Sequence, residues 1–222
     1  MCVFGGVLFG IGAISGGSDY VKATDLNRMD GSQDTERMKV LQKTELEDLN
    51  GIEIDLESSD LRIELSQDDH YYLSYQISTE KEVTYEVADG VLHFSEQSKD
   101  KFHFIQIDIS FLSALFGDGD MEQYEEYVVL SVPEEKAMES CHITLDDGDM
   151  EAEGLNSKDI NTVLESGDLK INNASLEGGR IVLKDGNMQA DHTNASKTDL
   201  ELSYGDLTMG TSQWTEGRIC LE

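Results

Sequence analysis

Four acidic or amide side chains follow four glycines at a fixed interval. Asp149, Asp168, Asn187 and Asp206 come directly after Gly148, Gly167, Gly186 and Gly205, and each glycine stands 19 residues after the last. Asp146, Asp147, Glu165 and Asp185 lie beside them. Stacked along one corner of a fold, such side chains could supply some of the roughly six to eight oxygens that calcium takes. The calcium-binding nonapeptide repeat, however, has a different glycine pattern and a much shorter period. Asp or Asn beside Gly is also what a tight turn uses, because glycine reaches positive φ cheaply and the short polar side chain bonds to nearby backbone. The column therefore reads as turn chemistry. No cofactor is expected, and calcium is the competing reading.

Other chemistry is sparse. The histidines His70, His93, His103, His142 and His192 share no metal-ligand spacing. His93 and His103 sit in alternating stretches and could meet across a hairpin. Cys2, Cys141 and Cys220 do not make a disulfide framework. In a stack of strands Cys141 and Cys220 would be on the order of 19 Å apart, too far to bridge. There is no nucleophile elbow, phosphate-cradling loop or Cys-x-x-Cys motif. Some parallel β-helices are polysaccharide lyases and hydrolases that line one face with carboxylates and basic residues. Here Lys170, Arg180 and Lys184 look scattered. No catalytic, cofactor-binding or metal-ligating residue is assigned, and the chain is not expected to be an enzyme.

The elements that must position these residues are legible from the same period. In register the segments read HITLDDGDMEAEGLNSKDI, NTVLESGDLKINNASLEGG, RIVLKDGNMQADHTNASKT and DLELSYGDLTMGTSQWTEG, with RICLE beginning a fifth. One column is Leu throughout: Leu145, Leu164, Leu183, Leu202 and Leu221. Ile143 and Leu145 alternate with polar neighbours before the glycine, and Met150 and Ala152 do so after it, as half-buried strands require. Each unit is read as strand, Gly-Asp turn, strand and polar return loop. One unit cannot bury its own apolar face, but units stacked about 4.8 Å apart share a continuous core. The expected fold is all-β: a repeated-strand β-solenoid with 19-residue repeats and an internal leucine ladder. Handedness and the number of faces stay open.

Composition sets limits. The apolar fraction of 38% suits strands with one wet face, and the formal net charge is −30. That charge argues against nucleic acid or an anionic membrane surface as direct partner and permits a cationic one. A long thin stack also has much surface for acidic residues to keep soluble.

Residues 1–14 are apolar and glycine-rich, too short to span a bilayer alone and without the basic start of a signal peptide. They are read as a short helix, the distal part of a membrane anchor. Residues 15–44 are read as a linker or stalk with a helical turn near Glu36 to Leu41. Residues 45–222 form the β-repeat domain. Within it LESSDLRI at 56–63 nearly repeats LESGDLKI at 164–171, with Ser59 in place of the glycine. The repeat therefore also opens the domain, 66–141 is an elaboration between copies, and 142–222 holds the regular repeats. In the elaboration YYLSYQIS, VTYEVADGVLHFSE, KFHFIQIDISF and EEYVVLSVP alternate as strands, with a hairpin turn at ADG, 88–90. Phe111, Leu112, Leu115 and Phe116 form an apolar cluster in what should be a loop. They are a candidate contact loop or a cover for an open sheet edge.

IEIDLESSDLRIEL, VVLSVP and the recurrent L-x-x-G-D-[LM] resemble the bacterial putative-adhesin family of β-strand-repeat domains of unknown function. That family is similar to the toast-rack domains of envelope-stress proteins such as LiaF and LiaG. The resemblance covers roughly residues 45–222 and implies a toast-rack fold, often tethered by one N-terminal membrane helix. It implies no catalytic or binding residues. The expected role is protein contact at the cell envelope, in adhesion or envelope-stress sensing. The chain would be held in the cell membrane by one N-terminal span, with the β domain extracytoplasmic. The alternatives are a carbohydrate-acting β-helix enzyme and a calcium-binding repeat protein.

Overall fold

The computed structural model describes residues 38–99, 125–134 and 136–222. They are all-β. Among them no helix is long and apolar enough to cross a membrane. The apolar stretch 1–14, and Phe111, Leu112, Leu115 and Phe116 of the expected contact loop, lie outside the described residues.

Each repeat supplies three strands rather than two. The first makes β8 (Ser140–Asp147), β9 (Met150–Glu153) and β10 (Asn156–Ser157). The next make β11 (Ile160–Ser166), β12 (Leu169–Asn172) and β13 (Ser175–Leu176), then β14 (Gly179–Asp185), β15 (Met188–Asp191) and β16 (Asn194–Ser196). After them come β17 (Thr198–Tyr204), β18 (Leu207–Met209), β19 (Gln213–Thr215) and β20 (Ile219–Leu221). The expected polar return loop thus carries a short third strand. Its signal was weak: only two positions per copy point inward, occupied by Leu155 and Ser157, Ala174 and Leu176, or Thr193 and Ala195. With at least one of the two small or polar in each copy, the period-two pattern that strand reading depends on is hidden.

Corresponding strands pair parallel and in register. Leu164 pairs with Leu145 on one side and Leu183 on the other, and Leu183 and Leu202 continue to Leu221. Leu145, Leu164, Leu183 and Leu202 are buried, while Leu221 on the outermost strand is 60% exposed. Met150, Leu169 and Met188 form the facing column, paired through the second strands. Since each buried aliphatic side chain stabilises by about 1.5–3 kcal/mol, these columns hold the stack together.

The domain opens with β1 (Met38–Leu46), β2 (Gly51–Leu56), β3 (Asp60–Leu65), β4 (Tyr71–Ser78), β5 (Lys81–Ala88), β6 (Val91–Ser98) and β7 (Tyr127–Val132). β1 overturns part of the linker reading. Met38 to Leu46 is a strand, antiparallel to β4, where a stalk to residue 44 and a helical turn near Leu41 were expected. Leu41 is buried there, so its contacts across the sheet decide a conformation that MKVLQK alone leaves ambiguous.

β2 and β3 stack directly on the regular repeats despite their distance in sequence: Leu56 pairs with Leu145 and Leu61 with Met150. β6 and β7 then occupy the first- and second-strand places of one more layer, pairing parallel with β2 and β3. β5 joins β6 through a hairpin whose turn residues Asp89 and Gly90 have φ of 52° and 79°, as a two-residue hairpin loop prefers. The result is an eight-stranded sheet β1-β4-β7-β3-β9-β12-β15-β18, an eight-stranded sheet β20-β17-β14-β11-β8-β2-β6-β5, and the four-stranded β10-β13-β16-β19. The elaboration therefore extends the two long sheets. Tyr75 meets Tyr85 and Phe94 edge-on, with ring centroids 6.3 and 5.9 Å apart.

Candidate functional site

The glycine turns are built by close backbone approach. Gly148, Gly167, Gly186 and Gly205 have φ of 146°, 133°, 145° and 142°, a region that side chains with a Cβ avoid. A Cβ on Gly167 would lie 2.1 Å from the carbonyl oxygen of Gly148, and one on Gly186 2.0 Å from that of Gly167. Ser59 stands in the same column yet is not among the residues with positive φ. Its turn differs, as the Ser-for-Gly replacement requires.

The acidic column is a hydrogen-bond ladder. The Asp60 carboxylate accepts from the Asp149 backbone N–H at 2.9 Å, and Asp149 Oδ1 accepts from that of Asp168 at 2.8 Å. Asp168 Oδ1 accepts from the Asn187 N–H at 2.7 Å, and Asn187 Oδ1 from the Asp206 N–H at 3.0 Å. One oxygen of each rung thus holds the next turn, and Asn serves as well as Asp. Beside the ladder an open groove of about 580 Å³ crosses five stacked layers, from Asp60 and Arg62 to Asp206 and Thr208. Its floor carries Glu151, which pairs with Lys170 at 2.8 Å and with Arg62 at 3.6 Å.

The basic residues that looked scattered are paired between layers. Lys184 meets Glu165 and Lys158 meets Glu139, each at 2.6 Å; Arg180 meets Glu201. Exposed pairs of this kind contribute about 0–1 kcal/mol each, but they commit the charges that a carbohydrate-cleaving face would need.

Two features were not legible in the sequence. Glu96 is buried in the leucine column, next to Leu56, where its carboxylate meets Lys81 at 2.6 Å and accepts from the Ser59 N–H at 3.2 Å. Glu96 Oε1 has the ion pair and no hydrogen bond of good angle. Lys81 also reaches Glu126 and the Ser58 hydroxyl. Burial alone lowers the Lys81 pKa, but the ammonium's pairing with the Glu126 and Glu96 carboxylates, which accept from it, outweighs burial, and the net direction is upward. Second, the fold places His93 beside Glu53, with Nδ1 2.9 Å from Oε2, and His142 on the opposite side of Glu53. His103, the partner suggested for His93, lies outside the described residues. Among the described residues no group of three or more His, Cys, Asp or Glu side chains could hold a metal ion. Cys141 is buried, which pushes its thiol up to about 12, whereas Cys220 is exposed.

A family model described as Toastrack DUF4097 matches residues 49–220. The chain belongs to the Toastrack DUF4097 family. Solved structures match most of the chain at low identity and with TM-scores under 0.5. A "putative cell adhesion protein" from Clostridium sporogenes is 12% identical, covering 84% of this chain and 99% of that one at a TM-score of 0.45. A "putative adhesin" from Bacteroides fragilis is 12% identical over 84% and 98%, at 0.36. A "putative lipid binding protein" from Parabacteroides distasonis is 12% identical over 84% and 97%, at 0.27. No curated protein matches the chain. In this toast-rack chain the turn glycines that mark the repeat let the backbones of neighbouring layers approach closely.

Proposed function

We propose that this chain presents a rigid, non-enzymatic β-repeat domain for protein contact at the bacterial cell envelope. In this reading residues 1–14 belong to a single membrane span and the β domain is extracytoplasmic, serving adhesion or envelope-stress sensing. The observation that carries it is the groove along the acidic turn ladder, which crosses five layers on a backbone locked rung to rung. An extended segment laid there would meet repeated carboxylates at the inter-strand spacing. With a formal net charge of −30, its favoured partner is a protein segment rich in Lys or Arg.

Photo-crosslinkers at Gln189 and Thr208 in the membrane-anchored full-length form should capture an envelope protein through a basic segment. Charge reversal at Glu151 should abolish the capture. Crosslinks that map elsewhere, or survive Glu151→Lys, would move the contact off this groove. Turnover of a uronic-acid polymer would replace the reading with the carbohydrate enzyme. Placement has its own test: a membrane-impermeant maleimide should label exposed Cys220 in intact cells, with buried Cys141 as the unreactive control. Labelling only after lysis would contradict it.

A further inference from the structure

We infer that the open edge of β20 is a contact surface for a second copy of this chain, joined by antiparallel pairing of residues 218–222 about a two-fold axis at Cys220. β20 is the outermost strand of its sheet, and among the described residues nothing pairs with its free side. It also stands one layer beyond β18 and β19. The edge strands at the other end of the two long sheets are guarded. β1 carries Lys39, Lys43 and a bulge between Leu41 and Thr44, and β5 turns Lys81 inward. Such features keep sheet edges from pairing. β20 has no lysine, no bulge and no inward charge.

The backbone fixes how the pair forms. The Arg218 carbonyl accepts from the Leu200 N–H at 2.8 Å, and the Glu222 N–H donates to the Leu202 carbonyl at 3.0 Å. Successive residues of a strand face opposite ways, so the N–H and C=O of Ile219 and Leu221 point away from β17. Within β20 only these two residues can bond a new strand. Run antiparallel to itself, β20 sets Ile219 against Leu221 of the second copy with both hydrogen bonds made, and the two-fold repeats this. Cys220 then falls opposite Cys220 of the second copy in the pair that makes no hydrogen bond, where Cα atoms stand about 4.5 Å apart.

The side chains match in this register. On the inner face Ile219 and Leu221, 41% and 60% exposed, meet Leu221 and Ile219 of the second copy and carry the column of Leu202 across the joint. On the outer face Arg218 stands opposite Glu222 of the second copy, and Glu222 opposite its Arg218. Arg218 also holds Asp199 at 2.6 Å, and the guanidinium has donors for both carboxylates. The neighbouring allowed registers set Cys220 opposite Arg218 or Glu222 and lose both charge pairs. Each copy has a net charge of −30, but charges more than about 8 Å apart are largely screened at physiological salt, so the residues at the joint decide. One short strand from each copy makes a small, weak contact, and the thiols stay on the outer face of the joined sheet, within reach of solvent.

Oxidation of the full chain carrying Cys2→Ser with copper phenanthroline, at about 0.15 M salt, tests the contact. The oxidant takes two electrons and two protons from facing Cys220 thiols and leaves one disulfide, for which a Cα separation of about 4.5 Å is short enough. Cys141 is buried and does not compete. A Cys220–Cys220 dimer is expected on a non-reducing gel, forming more slowly on dilution. Glu222→Arg sets Arg against Arg. Ile219→Pro removes a hydrogen bond on each side of the two-fold and spares those to β17. Each should slow crosslinking by about tenfold or more, since the two-fold counts every loss twice. Mixing Glu222→Arg chains with Arg218→Glu chains restores opposite charges across the joint and should recover the rate. Melts followed by circular dichroism check that each variant keeps its fold. No dimer, a rate that neither Glu222→Arg nor Ile219→Pro changes, or a mixture no faster than its components would each overturn the contact. So would Cys220 crosslinked in cell lysate to a different protein in place of its own copy, which would give the edge to a foreign strand.

Discussion

The Lys81 ammonium lies 2.6 Å from a Glu96 carboxylate oxygen inside the stack, where Glu96 is 1% exposed and takes the ladder place beside Leu56. A charge there is tolerated only because it is paired. Lys81→Met alone should therefore cost about 3–5 kcal/mol in denaturant unfolding, as breaking a buried pair does. Lys81→Met with Glu96→Leu should recover most of that loss, because leucine extends the column that Leu56 begins. A double variant no more stable than the single one would show that Glu96 has a role apart from its charge.

The same pair predicts an alkaline limit. The folded-state pKa of Lys81 is raised above its ordinary 10.5 by Glu126 and Glu96, which outweigh burial. A raised base contributes stability that is complete below its unfolded value and is lost as pH rises through the folded one. The stability difference between wild type and Lys81→Met should hold steady up to the unfolded value and shrink above it. A difference that stays undiminished as pH rises well above the unfolded value would contradict the sign.

Gly167 should tolerate no side chain. Alanine there would set its Cβ 2.1 Å from the Gly148 carbonyl oxygen, at a φ of 133°. Backbone strain at such a φ costs about 1–3 kcal/mol, and the collision adds to it. Ser59→Ala, in the same column but outside the positive-φ set, removes a buried hydroxyl that has no hydrogen-bond partner and should be neutral to stabilising. Comparable losses at the two positions in thermal melts would refute the close-approach account.

The ladder interior offers changes of opposite sign. Leu164→Ala should destabilise by about 2–5 kcal/mol, since Leu164 is buried between Leu145 and Leu183. Thr162 sits inward between Ile143 and Ile181 with an unpartnered hydroxyl. Thr162→Val keeps the shape and should stabilise by about 1–3 kcal/mol, the usual cost of an unsatisfied buried group. Destabilisation by valine would mean that the hydroxyl has a partner in solution.

Asp168 tests the reading of the acidic corner. Asp168→Asn should be nearly silent, because Asn187 already fills the same role toward Asp206 at 3.0 Å. Asp168→Ala removes the acceptor for the Asn187 N–H and should cost about 0.5–1.5 kcal/mol. Chelator should leave the Tm of wild type unchanged where calcium is the only added ion. A calcium-dependent rise in Tm that Asp168→Asn abolishes would turn the corner from scaffold into a site.

By itself the sequence determined the strand pairs, the turn glycines and the leucine column, because these follow from local rules repeated at one spacing. Alternation decides which face of a strand is buried, and Gly-Asp decides where it turns. It also showed Ser59 as the exception. The third strand of each repeat escaped notice because it offers only two inward positions, at least one of them Ser, Ala or Thr, which carries too little apolar signal. Met38 to Leu46 escaped because pairing with β4, and not propensity, makes it a strand. Only the tertiary structure could bring Leu56 against Leu145, Glu96 into the leucine column, and His93 and His142 to the two sides of Glu53. Those neighbours are far apart along the chain, and nothing local encodes them. The elaboration sets them side by side by lending its strands to sheets that the repeats had already begun.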